Sequence, residues 1–247
     1  MATLSASTPA HAGALRPSNG ANLLETVLVA LLLGFAGYCA LFVAPTEKTM
    51  GVIQRIFYFH VPSWWSAFIA FAIVLVANVA YLRGRNPKWD WLGVSAAEVG
   101  VAFVTVGLVT GPIWAHPVWG IWWTWDARLT SAFVLWVLYV SFLLLRTLIE
   151  EPERRAVVSA VFGIFAAVDI PLVYFSIWFF RTQHPQPVIG DGGSLDPSMG
   201  KVLLLCWAAM LGILVVMVRQ RYRVERLRWD VDRLRLEASQ SNSESGR

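Results

Sequence analysis

The sequence predicts an all-α integral membrane protein with six transmembrane helices, both termini in the cytoplasm and a tryptophan-rich loop on the outer face. Of the 247 residues, 57% are hydrophobic and only 15% are charged, whereas about 25% of residues in soluble domains are charged. Six apolar stretches are each long enough to cross roughly 30 Å of hydrocarbon, which takes about 20 helical residues. Because a chain inside lipid must satisfy its own backbone hydrogen bonds, we predict helices and not barrel strands.

The predicted elements follow one another with short connections. Residues 1–22 form a polar tail that lacks the apolar core of a signal peptide. Residues 219–247 form a basic cytoplasmic helix with a disordered end, from about residue 239. Its apolar residues recur every three or four positions, a seam that fits either the lipid surface or a partner subunit. The six spans cover residues 23–44, 62–82, 93–112, 129–145, 157–180 and 199–218.

Four unusual residues lie inside the predicted spans. Cys39 and Cys206 form no CxxC pattern, so we interpret them as small buried side chains. Glu98 lies near the cytoplasmic end of the third span, where water can solvate a carboxylate. Asp169 is more central, and an acid in the bilayer interior is costly and usually paired or functional. We expect it to bond between helices, or to contact the route of a bound ligand or a partner subunit.

The basic residues predict the orientation. With six spans, the termini and the loops 83–92 and 146–156 share one side, which holds 15 of the 20 Lys and Arg residues. The positive-inside rule places that side in the cytoplasm. We expect the basic residues on that side to interact with anionic lipid head groups and not with nucleic acid. The loops 45–61, 113–128 and 181–198 face outward.

The three outer loops carry every histidine except His11 of the tail. His60 and His184 flank the middle loop, and two neutral imidazoles on opposite sides of an iron make a bis-histidine haem site. Haem b also needs an apolar surface for the macrocycle and cations for its propionates. His116 lies within the middle loop and is an alternative ligand. Three arginines are candidates for the propionates: Arg55, Arg128 and Arg181.

The middle loop ends in WGIWWTWDARLT, residues 119–130. An aromatic belt at the membrane interface explains single tryptophans such as Trp64, Trp65 and Trp178. It does not explain five within twelve residues, followed at once by Asp126 and Arg128. We predict a platform for a large flat apolar ligand. The platform residues are Trp114, Trp119, Trp122, Trp123 and Trp125.

Other chemistry has little support in the sequence. There is no HExxH motif or Cys/His cluster for zinc, no Gly-x-Ser-x-Gly and no nucleotide-binding loop. We therefore expect a protein that is not an enzyme, and any use of ATP must come from a partner. Two other functions fit some of these features: a bis-histidine b-type cytochrome that transfers electrons and a small-solute permease.

WGIWWTWDARLT resembles the tryptophan-rich signature of the haem-handling family of cytochrome c maturation proteins. QRIFYFHVPSWW and RTQHPQP are similar to the family's segments around its two outer histidines. Six spans, none predicted to contain a histidine, favour the small CcmC-type haem exporters over the longer haem lyases CcmF and CcsA. The second histidine has the context Thr182-Gln183-His184-Pro185, which differs from the family's usual neighbours.

The resemblance implies a function. Such proteins hold haem on the periplasmic face of the bacterial inner membrane, between the two histidines and the tryptophan loop. They present it to the membrane-anchored haem chaperone CcmE, and they work beside the ABC-type subunits CcmA and CcmB and the small subunit CcmD. In this reading Asp126 anchors the loop or polarises a neighbouring donor. Arg128 is either the partner of Asp126 or a propionate contact.

Overall fold

The computed structural model describes residues 19–180, 182, 184 and 195–245, with the side chains of all of these except 19–21, 236, 237 and 240–245. In that part of the chain the backbone is helical apart from turns and loops, and its one extended contact is an isolated bridge between Glu47 and Gly51. Six helical segments are long and apolar enough to cross a membrane. The predicted all-α fold with six membrane-spanning helices is therefore confirmed, and the chain is a multi-pass membrane protein.

Seven helices make up the described fold. A π-helical turn, Cys39–Val43, ends α1, and a 3-10 turn, Val52–Ile56, leads directly into α2. Because successive spans run in opposite directions, α2, α4 and α7 begin at the end of the bundle where α3 and α6 finish; we call this the site end. The helices are α1 Asn19–Tyr38, α2 Phe57–Gly84, α3 Pro87–Trp119, α4 Ala127–Leu148, α5 Pro152–Ala166, α6 Asp169–Phe179 and α7 Pro197–Ser245.

The helices at the site end are longer than the predicted spans. α2 begins five residues before residue 62, and α3 continues through Pro112 and Pro117, where a helix is expected to bend or stop. The last residue of α3 is Trp119, and Gly120 after it has a positive φ of 72°, which suits glycine. His60 and His116 therefore lie in helices, and the expectation that no span contains a histidine was wrong.

The fifth span, predicted as one helix over 157–180, is two helices. α5 ends at Ala166 and α6 begins at Asp169, so the helix axis is interrupted within the apolar segment. An acidic residue and Pro171 in the first turn both favour a helix start at this point. Asp169 is buried, and no described group lies within hydrogen-bonding distance of its Oδ2 atom.

α2 and α3 pack closely because glycines on α3 meet large side chains on α2. A Cβ atom at Gly107 would overlap the ring of Trp64, and one at Gly111 would lie 3.3 Å from Cε1 of His60. Small residues let membrane helices approach each other in this way. The contact places the first turns of α2 against the last turns of α3, which fixes the position of His60.

α7 is a continuous helix that crosses the bundle and continues beyond it. Asp196 caps its first turn by accepting bonds from Ser198, which lower the pKa of this carboxyl group. Further along, Arg221 donates to both oxygens of Glu98 on α3, so this acid is paired with a residue of α7. We expected solvation by water there, and the pairing was missed because the two residues are far apart in sequence.

The C-terminal part of α7 differs from the expectation in its length. We expected disorder from about residue 239, but the helix continues to Ser245. Residues 233–238 read RLRLEA and are strong helix formers, but residues 239–245 read SQSNSES and have no such preference, so propensity explains the helix only up to residue 238. The predicted apolar seam lies on this segment and is exposed in the structure. Its members are Val224, Leu227, Val231 and Leu234.

Candidate functional site

His60 is a buried side chain in the first turn of α2, with only 7% of its surface exposed. Its Nδ1 atom lies 2.9 Å from Oγ1 of Thr110 on α3. The rings of Trp114 and Trp64 lie edge-on to the imidazole, with centroids 5.8 and 6.4 Å away. The imidazole is therefore held between α2 and α3, with one of its two nitrogens already hydrogen-bonded.

His184, the other predicted ligand, follows α6 and is partly buried. Its backbone N–H donates to Oγ1 of Thr182 at 3.1 Å, and that hydroxyl donates to Oδ2 of Asp126 at 2.8 Å. α2 begins, and α6 ends, at the site end of the bundle. The fold thus brings together, at the site end, two histidines from opposite halves of the chain.

Asp126 joins three segments. Its Oδ1 atom accepts the backbone N–H of Leu129 at 2.9 Å and so caps the first turn of α4. Its Oδ2 atom accepts the hydroxyl of Thr124 in the tryptophan loop, residues 120–126, at 3.1 Å, and the hydroxyl of Thr182. Of the two roles expected for Asp126, this geometry is that of an anchor.

The five platform tryptophans do not form one surface. Trp114 lies beside His60, whereas Trp123 and Trp125 contact each other in an edge-on arrangement with centroids 5.7 Å apart. Trp122 stacks on the imidazole of His116 with centroids 4.2 Å apart. Trp119, Trp122 and Trp125 keep 39%, 56% and 72% of their surface exposed. The loop therefore presents exposed aromatic area at the site end without direct ring contact to His60.

Trp123 and Trp125 also line a groove of about 390 Å³ between α3 and α4. At 3.6 residues per turn, the groove residues of α3 lie on the side of that helix opposite to Thr110, Gly111 and Trp114, which face His60. His116 lies near the groove side by the same geometry. His60 and His116 therefore lie on different sides of α3. The remaining groove residues are Thr105, Leu108, Val109, Phe133 and Trp136.

The two described arginines of the predicted site contact backbone carbonyl groups. Arg128 donates to the carbonyl oxygen of Val173 on α6 at 3.5 Å, and Arg55 donates to that of Leu41 at the end of α1. A guanidinium group has five N–H donors, so each contact uses only part of it. Arg181 lies outside the described residues, and so does Gln183.

The described side chains fit haem better than a bare metal ion. No cluster of three or more His, Cys, Asp or Glu residues that could hold an ion occurs among them, whereas haem supplies its own four nitrogen ligands and needs only axial ones. The buried indole N–H of Trp114, next to His60, has no acceptor in the described part of the chain. A ligand with carboxylate groups would satisfy that donor.

Sequence similarity identifies the family. Residues 8–237 match the profile of the family described as "CcmC: Heme exporter protein C". The chain belongs to the heme exporter protein C family. The "Heme exporter protein C" of Bradyrhizobium diazoefficiens is 33% identical over 195 residues, which cover 78% of this chain and 74% of that relative. The protein of the same name from Haemophilus influenzae is 30% identical over 212 residues, or 85% of this chain and 86% of the relative.

Membership of the heme exporter protein C family agrees with the resemblance found in the tryptophan-rich motif. Three neighbours of the site were not predicted from the sequence: Thr110, Thr182 and Trp64. Trp64 was assigned to the interfacial belt, yet it packs against Gly107 beside His60. Thr182 stands two residues before His184, a spacing typical of local hydroxyl-to-backbone bonds. Thr110 carries no comparable signal, since its partner lies 50 residues away.

Proposed function

We propose that this protein binds haem b at the site end between His60 and His184 and delivers it to a haem chaperone during cytochrome c maturation. The single observation that carries the proposal is a buried, hydrogen-bonded His60 at the same end of the bundle as His184. Two neutral imidazoles can serve as the axial ligands of a haem iron. The exposed tryptophans supply apolar surface for the macrocycle, and Arg128 supplies a cation for a propionate.

The orientation and the partners belong to the same proposal. The basic excess lies at the end opposite to His60, so the site end faces the periplasm under the positive-inside rule. The resemblance to the CcmC type supports CcmE as the chaperone that accepts haem. It also supports CcmA, CcmB and CcmD as neighbouring subunits. ATP hydrolysis falls to those partners because this sequence has no nucleotide-binding loop.

One observation favours a second function. His60 lies inside a helix that can span the membrane, as the ligands of membrane-bound b-type cytochromes do. A cytochrome keeps its haem, whereas a delivery protein releases it to an acceptor. His184 lies beyond the end of α6 and is partly exposed, which suits release better than retention.

The decisive assay measures two quantities: the haem content of the purified protein and the amount of haem passed to the chaperone. We expect Trp122→Ala/Trp123→Ala to lower the haem content of the purified protein, because losing about 100 Å² of apolar contact costs about 2.5 kcal/mol, which corresponds to tens-fold in affinity. Haem passed to the co-expressed chaperone should fall at least as far. The six-helix fold should persist, since both side chains lie outside the helices.

The matched control is Trp89→Ala, which removes an exposed tryptophan from the opposite end of the bundle and should change neither quantity. Normal loading and transfer by the double variant would mean that the tryptophans form only an interfacial belt. A wild-type protein that keeps its haem in the presence of the chaperone would favour the cytochrome.

A further inference from the structure

The hydroxyl group of Thr110 has one hydrogen and three neighbouring partners. Its Oγ1 atom lies 2.7 Å from the carbonyl oxygen of Val106, one turn back on α3, and 3.4 Å from that of Gly107. The third partner is Nδ1 of His60 at 2.9 Å. A carbonyl oxygen can only accept. If the hydrogen goes to the closest partner, Val106, the oxygen of Thr110 must accept a proton from Nδ1 of His60.

The same helix contains a second threonine, Thr105, for which the donor and acceptor of each hydrogen bond are certain. Oγ1 of Thr105 lies 2.8 Å from the carbonyl oxygen of Val101, again one turn back, and 2.9 Å from Nε1 of Trp136. An indole nitrogen only donates. Thr105 therefore donates to its helix and accepts from a ring N–H, with nearly the same two distances as Thr110.

We infer that Thr110 fixes neutral His60 in the tautomer that carries its proton on Nδ1 and leaves the lone pair on Nε2. The inference rests on the proposed function only in assigning that lone pair to haem iron. Thr110 is then a positioning residue: it does not touch the iron, but it selects which ring nitrogen can bind it. Because His60 is on α2 and Thr110 on α3, the close packing of these helices sets the chemistry of the ligand.

The hydrogen bond between His60 and Thr110 also affects how strongly His60 can bind a metal. A histidine becomes a more basic and better oriented metal ligand when the ring nitrogen that does not bind the metal donates its N–H to an acceptor. Loss of such an acceptor typically lowers metal affinity 10- to 100-fold. Gly111 makes room for this geometry, since a Cβ atom there would lie 3.3 Å from Cε1 of His60. Thr110 and Gly111, adjacent on α3, together hold the ring.

The first test needs no haem. In protein labelled with ¹⁵N-histidine, protonated and unprotonated ring nitrogens resonate in separate regions, and His60→Ala assigns the His60 signals. We expect the proton on Nδ1 in the haem-free wild type and in Thr110→Ser. It should be redistributed in Thr110→Val, which has the same shape without the hydroxyl. Thr105→Val, the matched control, should leave the His60 signals unchanged. A proton on Nε2 in the wild type would overturn the inference.

The second test uses the haem complex. Thr110→Val should bind haem about 10- to 100-fold more weakly and raise the reduction potential of the bound haem, because a less basic ligand stabilises ferric iron less. Thr110→Ser should restore both values. Thr147→Val, which removes a hydroxyl bonded only to its own helix at the opposite end of the bundle, should change neither. Unchanged affinity and potential in Thr110→Val would contradict the inference. A wild type that binds no haem would instead refute the proposed function, leaving the tautomer to be judged by the first test.

Discussion

Asp126 and the hydroxyl groups around it determine where His184 lies. The carboxylate accepts bonds from the start of α4, from the tryptophan loop and from Thr182, and Thr182 in turn accepts the backbone N–H of His184. The aspartate that ends the tryptophan-rich motif is thus two hydrogen bonds away from the second proposed haem ligand. This explains physically why an acidic residue follows the aromatic run.

Thr182→Val should weaken haem binding about fivefold, because it removes a bond worth about 1 kcal/mol that holds the His184 segment. Thr124→Val is the matched control: it removes the other hydroxyl bound to the same carboxylate oxygen but leaves the link to His184 intact. Haem titration of the two variants beside wild type makes the comparison. Equal losses in both would show that Asp126 stabilises the loop without positioning His184.

At the scale of single residues, the sequence was informative where a side chain is chemically rare. Histidines and tryptophans outside the predicted spans, and an acid directly after them, pointed to His60, His184 and Asp126. Threonines within or beside apolar helices are ordinary residues. Only a tertiary contact distinguishes Thr110 from the rest, whereas Thr182 has a local signal in its spacing from His184. The sequence also did not predict that the tryptophans lie on two sides of α3. That arrangement depends on α3 remaining helical past Pro112 and Pro117.

At the scale of helices, α3 organises the site. One side of it meets His60 and Trp64 of α2, and the other side lines the groove shared with Trp123 and Trp125. Hydropathy predicted that α3 exists but placed its end near Pro112. The helix continues through both prolines to Trp119. The break between α5 and α6 was also missed, since both halves are apolar and hydropathy averages over them.

Gly107→Ala should destabilise the protein by about 1–3 kcal/mol, because the new methyl group overlaps the ring of Trp64 and pushes α2 from α3. It should also weaken haem binding, since His60 depends on the same contact. Gly37→Ala is the control: no atom outside its own stretch of helix lies within 4 Å of its added Cβ, so helix propensity should make it neutral or stabilising by up to about 1 kcal/mol. Thermal unfolding in detergent measures both. Similar melting temperatures would contradict the close packing inferred for α2 and α3.

At the scale of the whole molecule, the six spans place the turn between α2 and α3 and the tryptophan loop at opposite ends of the bundle. Single cysteines at Asn86 and Ile121, in a chain whose buried Cys39 and Cys206 are replaced by alanine, should be labelled from opposite sides of the membrane. We expect Asn86→Cys to react from the cytoplasm and Ile121→Cys from the periplasm. Labelling of both from one side would contradict the topology and the grouping of the two histidines.

The most direct test of haem binding between His60 and His184 is the optical and electron paramagnetic resonance spectrum of the haem-loaded protein. The wild type should show low-spin iron with two histidine ligands. His60→Ala and His184→Ala should each lose that spectrum or most of the haem, with partial recovery on adding imidazole, while His116→Ala should retain it. A low-spin spectrum that survives loss of His60 or His184 but disappears with His116 would contradict this assignment.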